Sequence, residues 1–304
     1  MIPCIACLQG CVANMYAGNP VCCLTNPFLG HEAEPLEKAE EPKKVMVIGG
    51  GVAGLSAAFI AKERGHEVTL YEAGDVLVGN MRLAAYPPGK GDITNMIRSY
   101  IHRCQKDGVK IVMNCEVTPE LIKEEKPDSV IIATGSKTLI LPIEGIDNPA
   151  IIHGSDLLDG KRAAGKKVLV VGGGMVGCET AAFLGEQEHD VTVIEFRDTV
   201  GADVIHEHRV YLMKDFEDYG IKEITGAKVC KFYEDGVEYE TADGVRHESR
   251  GYDSVILSMG FRNYNPLEEK IKDLVPETHV IGDAIRARRA LDATKEAYEV
   301  ASRI

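Results

Sequence analysis

Charge is absent from the start of the chain. The first 30 residues contain no Asp, Glu, Lys or Arg, although these four types make up 27% of the 304 residues. The same stretch lacks the basic start of a secretory signal, and Gly, Asn, Gln and Pro interrupt every apolar run in it. Neither a cleaved signal nor a membrane-spanning run of about 20 apolar residues fits this composition. We therefore expect a cytoplasmic protein.

Positive charge is scarce in the chain as a whole. There are 34 Lys and Arg against 47 Asp and Glu, which gives a net charge of −13 at pH 7. Nucleic acids and anionic membrane surfaces would repel such a protein, so we expect neither as a partner. A length of 304 residues allows two domains of ordinary size, each with its own core.

A redox-active cysteine pair is missing from most of the chain. No C-x-x-C or C-x-x-x-x-C occurs after residue 23, and the later cysteines stand singly at Cys104, Cys115, Cys178 and Cys230. We interpret these four as buried structural thiols, so the chain lacks the cysteine pair that a disulfide reductase needs. The other five of the nine cysteines lie between residues 4 and 23. This crowding favours metal ligation in a reducing compartment over a disulfide framework.

Glycine is present where a dinucleotide would need it. Residues 45–48 predict a buried strand, and Gly49, Gly51 and Gly54 follow it as G-x-G-x-x-G at the start of a helix. A second strand ends at Glu72, 18 residues after Gly54. In such a βαβ unit the glycines allow a tight turn and close approach of a pyrophosphate to the helix start, and the acid accepts a hydrogen bond from a ribose hydroxyl.

The same unit occurs a second time. Gly172, Gly174, Gly177 and Glu195 repeat the first set at a constant offset of 123 positions. Later in each unit the apolar strand 128–132 is matched by 253–257, and a glycine follows each strand. The chain therefore contains two copies of one dinucleotide-binding fold.

The predicted fold is α/β, with two tandem Rossmann-like (three-layer ββα) domains after a cysteine-rich segment. GGGMVGCETA at 172–181 resembles the pyridine nucleotide-disulfide oxidoreductase superfamily, and this resemblance implies that the second domain is inserted in the first. Turn signals at 234–236 and 242–244 predict a small antiparallel meander over the second sheet. The strand and helix after residue 278 belong to neither repeat. The expected domains are a cysteine-rich segment and linker at 1–38, a first dinucleotide-binding domain at 39–150 and 262–304, and a second one at 151–261.

The cysteine segment offers four thiolates, Cys4, Cys7, Cys11 and Cys23. Four soft ligands suit a [4Fe-4S] cluster or zinc. Structural zinc sites usually show two matched C-x-x-C knuckles, and here the two halves are unequal, so the spacing favours the cluster. Cys22 beside Cys23 is interpreted as a packed thiol.

Two resemblances follow from these motifs. GGGMVGCETA at 172–181 resembles the nicotinamide domain of the pyridine nucleotide-disulfide oxidoreductase superfamily. That resemblance implies FAD in the first domain, Glu179 near the nicotinamide ribose, and Gly282-Asp283 as the motif whose acid binds the flavin ribityl chain. Glu195 would repel a 2′-phosphate, which favours NADH over NADPH, although Arg197 could attract one.

The segment PCIACLQGCVANMYAGNPVCCLTNPFLGHE resembles the iron-sulfur segment of old yellow enzyme-like NADH:flavin oxidoreductases that carry a reductase half. These include 2,4-dienoyl-CoA reductase, trimethylamine dehydrogenase, enoate reductases and bile-acid dehydroxylation oxidoreductases. The four cysteines fall on that family's ligand positions, and the resemblance covers the whole chain, including Lys90 after Pro87-Pro88-Gly89. The family's FMN-binding barrel, with its substrate site, is not in this sequence.

The resemblance implies an electron-input module that passes hydride from NADH to FAD and single electrons to a [4Fe-4S] cluster. An FMN barrel domain or subunit would receive them, and the intact enzyme is expected to be a homo-oligomer. No catalytic acid, base or nucleophile is assigned. Two alternatives stay open: an ADP-binding structural appendage without turnover, and a stand-alone flavin reductase with a zinc site.

The residues expected to bind cofactors divide between the two domains. In the FAD domain they are Gly49, Gly51, Val52, Ala53, Gly54, Glu72, Ala73, Arg82, Ala133, Thr134, Gly135, Gly282 and Asp283. In the NAD(P) domain they are Gly172, Gly174, Val176, Gly177, Glu179, Glu195 and Gly260.

Overall fold

The computed structural model describes residues 3–304, which divide into two compact units. Unit 1 consists of the described residues up to Ala85 together with Asp92–Lys137 and Arg262–Ile304. Unit 2 consists of Tyr86–Gly91 and Thr138–Phe261. Unit 2 is therefore inserted in the sequence of unit 1, and the short stretch 86–91 also belongs to it.

The strands are short, as is usual for α/β proteins. In chain order they are β1 (Lys44–Ile48), β2 (Glu67–Tyr71), β3 (Lys110–Val112), β4 (Ser129–Ile132), β5 (Ser136–Thr138), β6 (Ile152–His153), β7 (Lys167–Val171), β8 (Asp190–Ile194), β9 (Lys222–Ile224), β10 (Lys228–Tyr233), β11 (Gly236–Glu240), β12 (Arg246–Ser249), β13 (Ser254–Leu257), β14 (Phe261–Asn263) and β15 (Glu277–Val280).

The helices lie among these strands in the sequence. They are α1 (Val12–Tyr16), α2 (Val52–Glu63), α3 (Ile93–Lys106), α4 (Pro119–Glu125), α5 (Gly154–Leu158), α6 (Met175–Glu186), α7 (His206–Asp218), α8 (Glu268–Ile271) and α9 (Ala290–Ala301), with 3₁₀ turns at Gly79–Ala85 and Gly282–Ala284. Within residues 3–304, none of these helices has the length and apolar character needed to cross a bilayer.

Unit 1 is built on a five-stranded parallel sheet in the order β15-β4-β1-β2-β3. One face carries α2, α3 and α9, and every residue of α2 from Val52 to Ala61 is buried, because the sheet, α3 and α9 all pack on this helix. The other face is covered by side chains of α4 and α8, such as Ile122 and Ile271. The last strand of the chain, β15, completes this sheet, as a discontinuous domain requires.

Unit 2 repeats the parallel sheet in the order β6-β13-β7-β8-β9. The antiparallel strands β10, β11 and β12 form the predicted meander. Phe232 and Val237 of the meander pack with Leu169 and Ile194 of the parallel sheet, so the expectation that it covers this sheet is confirmed.

The observed division differs from the expected domain limits at two places. Residues 86–91 and 138–150 belong to unit 2, whereas the sequence analysis placed both stretches in the FAD domain. The observed and the expected limits coincide at the end of unit 2, which ends at Phe261, and unit 1 resumes at Arg262. β5 and β14, which contain the two crossing points, pair as a two-stranded sheet.

Candidate nucleotide and iron-sulfur sites

The first glycine turn has the backbone geometry that its sequence predicts. Gly49 has φ +107°, and a Cβ there would lie 2.3 Å from the Ala133 carbonyl oxygen. A Cβ on Gly54 would lie 1.9 Å from the Gly49 carbonyl oxygen, so the start of α2 can sit this close to the turn only without a side chain. A Cβ on Gly51 would meet no atom within 4 Å. The turn is therefore closed on the protein side and open where a pyrophosphate would approach.

Glu72 lies beside this turn, at the end of β2. Its Oε2 accepts a hydrogen bond from the Gly50 amide at 2.7 Å, and its Oε1 accepts one from the Gly74 amide at 2.7 Å. These two bonds hold the carboxylate at the edge of the turn, where the ribose of a bound dinucleotide is expected. The Val78 amide donates to the Gly50 carbonyl at 2.7 Å and ties the following loop to the same turn.

The Gly282-Asp283 motif lies next to the same helix start. Gly282 has φ +64°, and a Cβ there would lie 2.9 Å from the Cβ of Ala53. The carboxylate of Asp283 accepts from the Ser136 hydroxyl at 2.9 Å and from the Arg288 amide at 3.0 Å. The fold thus brings together residues that are about 230 positions apart in the sequence.

The remaining candidates of unit 1 surround this turn or follow it. Val52 and Ala53 are buried in the first turn of α2, Ala73 is exposed after Glu72, and Arg82 lies in a 3₁₀ turn. Thr134 donates its hydroxyl to the Tyr264 carbonyl, and Gly135 has φ +73°. None of these observations identifies a ligand, so the roles of these residues stay predictions.

The second glycine turn follows the same plan. Gly172 has φ +106°, and a Cβ on Gly177 would lie 1.8 Å from the Gly172 carbonyl oxygen. Glu195 accepts from the Gly173 amide at 2.5 Å and from the Arg197 amide at 2.9 Å. The two copies therefore share the placement of their acid as well as their glycines. Val176 lies in the first turn of α6, and Gly260, with φ +97°, accepts from the Leu139 amide through its carbonyl.

Two features of unit 2 were missed in the sequence. Lys90 forms an ion pair of 2.8 Å with Glu179, whose side chain is only 12% exposed. Asp203 accepts a hydrogen bond from the Met175 amide at 2.8 Å, at the start of α6. The Lys90 pair joins residues 89 positions apart, and no local spacing predicts it. The 123-residue offset, extended beyond the glycine motifs, pairs Asp203 with Asn80, and this difference in charge between the two copies could have been noticed in the sequence.

The cysteine segment is anchored in the core of unit 1. Ile5 and Leu24 are buried there, and the Tyr100 hydroxyl donates to the Leu24 carbonyl at 3.0 Å. The Cys22 amide donates to the Gly10 carbonyl at 2.9 Å, and a Cβ on Gly10 would lie 2.5 Å from the Cys22 carbonyl oxygen. This close backbone pairing brings the two ends of the segment together, and Cys11 and Cys23 follow it directly.

The sulfurs of the segment influence one another. Burial raises the pKa of Cys7, a backbone hydrogen bond from Gln9 opposes this rise, and the charges of Cys23, Cys11 and Cys4 add to it. Those three are the other predicted ligands, so each lies near enough to Cys7 to affect its pKa. No group of three or more His, Cys, Asp or Glu among residues 3–304 meets the geometry for a single metal ion. The thiols are suitable donors for a cluster, and the ligand set stays a prediction.

Cys22 lies beside the predicted ligand Cys23. Its pKa is raised by burial, with Lys295 opposing, and its Sγ accepts from the side-chain amide of Asn14 at 3.4 Å. Cys22 is only partly buried, as Cys7 and Cys23 are, so its assignment as a packed thiol stays a prediction.

The four later cysteines were expected to be buried, and this is correct for two of them. Burial raises the pKa of Cys104 and of Cys178 to about 12, and both thiols donate to backbone carbonyls. Cys115 and Cys230 are only partly buried, because each lies near the edge of its unit's sheet. For these two the expectation of burial was wrong.

Comparison with known proteins agrees with this architecture. The sequence pattern of the family described as "Pyridine nucleotide-disulphide oxidoreductase" matches residues 43–278. Cinnamate reductase of Clostridium sporogenes is 34% identical over 99% of this chain, and NADH oxidase of Thermoanaerobacter brockii is also 34% identical over 99%. The solved structure of 2-naphthoyl-CoA reductase in complex with 2-naphthoyl-CoA has a TM-score of 0.93 and 32% identity over 99% of this chain.

The chain spans about half the length of the relatives it matches, namely 45%, 47% and 46% of these three. The matches confirm the predicted resemblance to the FAD/NAD reductase half of such enzymes and the predicted α/β fold class. They also confirm the prediction of an NAD(P)H-dependent flavin oxidoreductase, with FAD and NAD(P)H as cofactors.

Proposed function

Because the chain belongs to the pyridine nucleotide-disulphide oxidoreductase family, we propose that it is the electron-input module of an iron-sulfur flavoprotein oxidoreductase. With every group bound, FAD would accept hydride from NADH, and a [4Fe-4S] cluster held by the cysteine segment would supply one-electron transfer to FMN on a partner barrel. That barrel, as a domain or a subunit, reduces an enoate, enone or enoyl-CoA type substrate. The chain itself supplies binding and orientation, and we assign it no catalytic acid, base or nucleophile.

The observation that carries the proposal is that the cysteine segment belongs to the core of the unit that contains the first glycine turn. Leu24 and Ile5 are buried in the same cluster as Val52 and Ala53. The open approach at Gly51 and the fixed carboxylates of Glu72 and Asp283 suit FAD in this unit. Cys4, Cys7, Cys11 and Cys23 would hold the cluster.

Unit 2 is then the site of the nicotinamide nucleotide. Its turn is a second copy of the first, and the Glu195 carboxylate lies where it would accept from an adenosine ribose hydroxyl. A 2′-phosphate would be repelled by this carboxylate, so we propose NADH rather than NADPH. Lys90 holds the Glu179 carboxylate, which the family resemblance places near the nicotinamide ribose.

The proposed partner and compartment rest on two further observations. The chain spans about half of each relative, and two of these are named as reductases of cinnamate and of 2-naphthoyl-CoA, both unsaturated acyl compounds. This supports a second, substrate-binding half. A homo-oligomeric intact enzyme is proposed from the family resemblance alone. All nine cysteines are free thiols, which supports a reducing compartment such as the cytoplasm.

The test is an anaerobic titration of the purified, reconstituted protein with NADH, followed optically, with bound flavin, iron and acid-labile sulfide counted. We expect one FAD and four irons per chain, and bleaching of the flavin absorption near about 450 nm. A protein that holds nucleotide but shows no flavin colour would instead be the structural appendage. Flavin with zinc in place of iron and sulfide would identify the stand-alone reductase.

Two matched serine variants test the ligand set. Cys23→Ser is expected to lose the cluster, whereas Cys22→Ser removes the neighbouring thiol that bonds Asn14 and should retain full iron content. The reverse result would show that the fourth ligand is Cys22.

A further inference from the structure

We propose that Asp203 makes the second glycine turn an exchangeable coenzyme site, because its carboxylate occupies the backbone donor that a dinucleotide pyrophosphate needs. The inference rests on the proposed placement of NADH in unit 2. It assigns a role in coenzyme affinity to a residue outside the glycine motif and outside the acid that follows it.

The carboxylate lies at the start of α6. Asp203 Oδ1 accepts from the Met175 amide at 2.8 Å, and a Cβ on Gly174 would lie 3.5 Å from Asp203 Oδ2. Met175 is the first residue of this 12-residue helix, so its amide is one of the donors that the helix itself leaves free. These free donors are the ones that bind the pyrophosphate in a glycine turn of this type.

Among residues 3–304, no such carboxylate lies at the first turn. The Val78 amide donates to the Gly50 carbonyl at 2.7 Å, and the Gly201 amide donates to the Gly173 carbonyl at 2.7 Å. The two loops therefore make equivalent backbone hydrogen bonds, at the 123-residue offset of the glycine motifs. By this offset the counterpart of Asp203 is Asn80, a neutral and exposed residue.

The space at the two turns differs in the same way. A Cβ on Gly51 would meet no atom within 4 Å, whereas its counterpart Gly174 has the Asp203 carboxylate beside it. An anion can approach the first turn without displacing any group. At the second turn it must first displace a carboxylate of the same chain.

The physical consequence is competition within the molecule. An anion at a helix start is stabilised by the free amides and the helix dipole, so Asp203 gains from this position. Since the carboxylate is tethered, its effective concentration there is high, and a pyrophosphate binds more weakly by the free energy of displacing it. A prosthetic FAD must stay bound through many turnovers, whereas a nicotinamide nucleotide must leave after each hydride transfer. The difference between Asn80 and Asp203 gives each turn the affinity that its ligand requires.

The test compares Asp203→Asn with the wild type. Asparagine is the residue that the first turn has at this position, and its side-chain oxygen can still accept from the Met175 amide. The probe is ADP-ribose, titrated calorimetrically into the FAD-loaded full chain, because it contains the pyrophosphate without the reactive ring. We expect about fivefold to thirtyfold tighter binding in the variant, with unchanged FAD content.

Turnover provides a second readout that a purely structural role would not move. The KM for NADH should fall by a similar factor, and inhibition by NAD⁺ should become stronger. The control is Asp147→Asn, which removes one negative charge from an exposed residue of the same unit that makes no hydrogen bond or ion pair with the described residues. It should leave ADP-ribose affinity and KM unchanged.

The reciprocal variant Asn80→Asp makes the test independent of the folding of Asp203→Asn. It should release FAD faster than the wild type. Equal ADP-ribose affinity in wild type and Asp203→Asn, or unchanged FAD retention in Asn80→Asp, refutes the inference alone. If ADP-ribose binds none of the proteins, the placement of NADH in unit 2 is refuted together with the inference.

Discussion

Replacing Tyr100 by phenylalanine tests how the cysteine segment is held. Tyr100 has no exposed surface, and burial keeps the pKa of its phenol well above the usual range, so the hydroxyl retains its proton. It donates to the Leu24 carbonyl at 3.0 Å and lies 3.3 Å from the Thr25 carbonyl oxygen. Tyr100→Phe removes this donor and leaves the Leu24 carbonyl, next to Cys23, buried without it. The expected cost is about 1–3 kcal/mol.

This cost should appear in two measurements. Thermal unfolding of unit 1 should shift down by about 3–8 °C, and release of iron to an anaerobic chelator should accelerate by about fivefold to hundredfold if the segment opens locally. The control is Tyr298→Phe, since Tyr298 belongs to the same core and its hydroxyl makes no hydrogen bond within the described residues. If both variants release iron at the wild-type rate, the hydroxyl of Tyr100 does not hold the segment.

Three further predictions concern other parts of the chain. Gly54→Ala should destabilise unit 1 by about 3 kcal/mol or more and abolish FAD retention, because the new Cβ would lie 1.9 Å from a carbonyl oxygen. The control Gly91→Ala should unfold at the wild-type temperature, because a Cβ there would meet no atom within 4 Å. Lys90→Met should raise the KM for NADH by about twofold to fivefold with unchanged flavin content, because the Glu179 carboxylate loses its ion-pair partner at 2.8 Å. An unchanged KM would contradict the role of Lys90 in holding Glu179. The hydrogen bond from Lys44 lowers the pKa of Glu125, so this bond stabilises the fold above the unfolded pKa of 4.5, and the stabilisation is lost as the pH falls through the folded pKa. Glu125→Gln should therefore be less stable than wild type at pH 7, and the difference between their unfolding temperatures should shrink below about pH 4.5.

Local sequence signals predicted the parts of the fold that are formed by neighbouring residues. Gly49 and Glu72 lie within one βαβ unit, and the same spacing at Gly172 and Glu195 leads to the same pair of amide-to-carboxylate bonds. The meander was likewise expected from its turn residues. In each case the elements form between residues close in sequence, so composition and spacing contain the information.

Contacts between distant residues could not be predicted in this way. The bond of Tyr100 to Leu24 joins residues 76 positions apart, and Lys90 reaches Glu179 from a loop that the sequence analysis assigned to the other domain. Such pairs depend on which surfaces pack together after the sheets have formed. The partial exposure of Cys115 and Cys230 was missed for the same reason, because a lone cysteine has no periodicity that reports its burial.

The interruption of unit 1 by unit 2 has a consequence for biosynthesis. All residues of unit 2 precede Arg262 in the chain, so unit 2 can fold before the last part of unit 1 has emerged from the ribosome. The sheet of unit 1 cannot be completed then, because Ser129 of β4 pairs with Glu277 of β15, which is translated 148 residues later. Until β15 arrives, β4 has an open edge of apolar residues, the kind of surface that chaperones recognise and that other chains can pair with. Slow translation or early termination after residue 261 should therefore yield a protein with a folded second unit and an aggregation-prone first one.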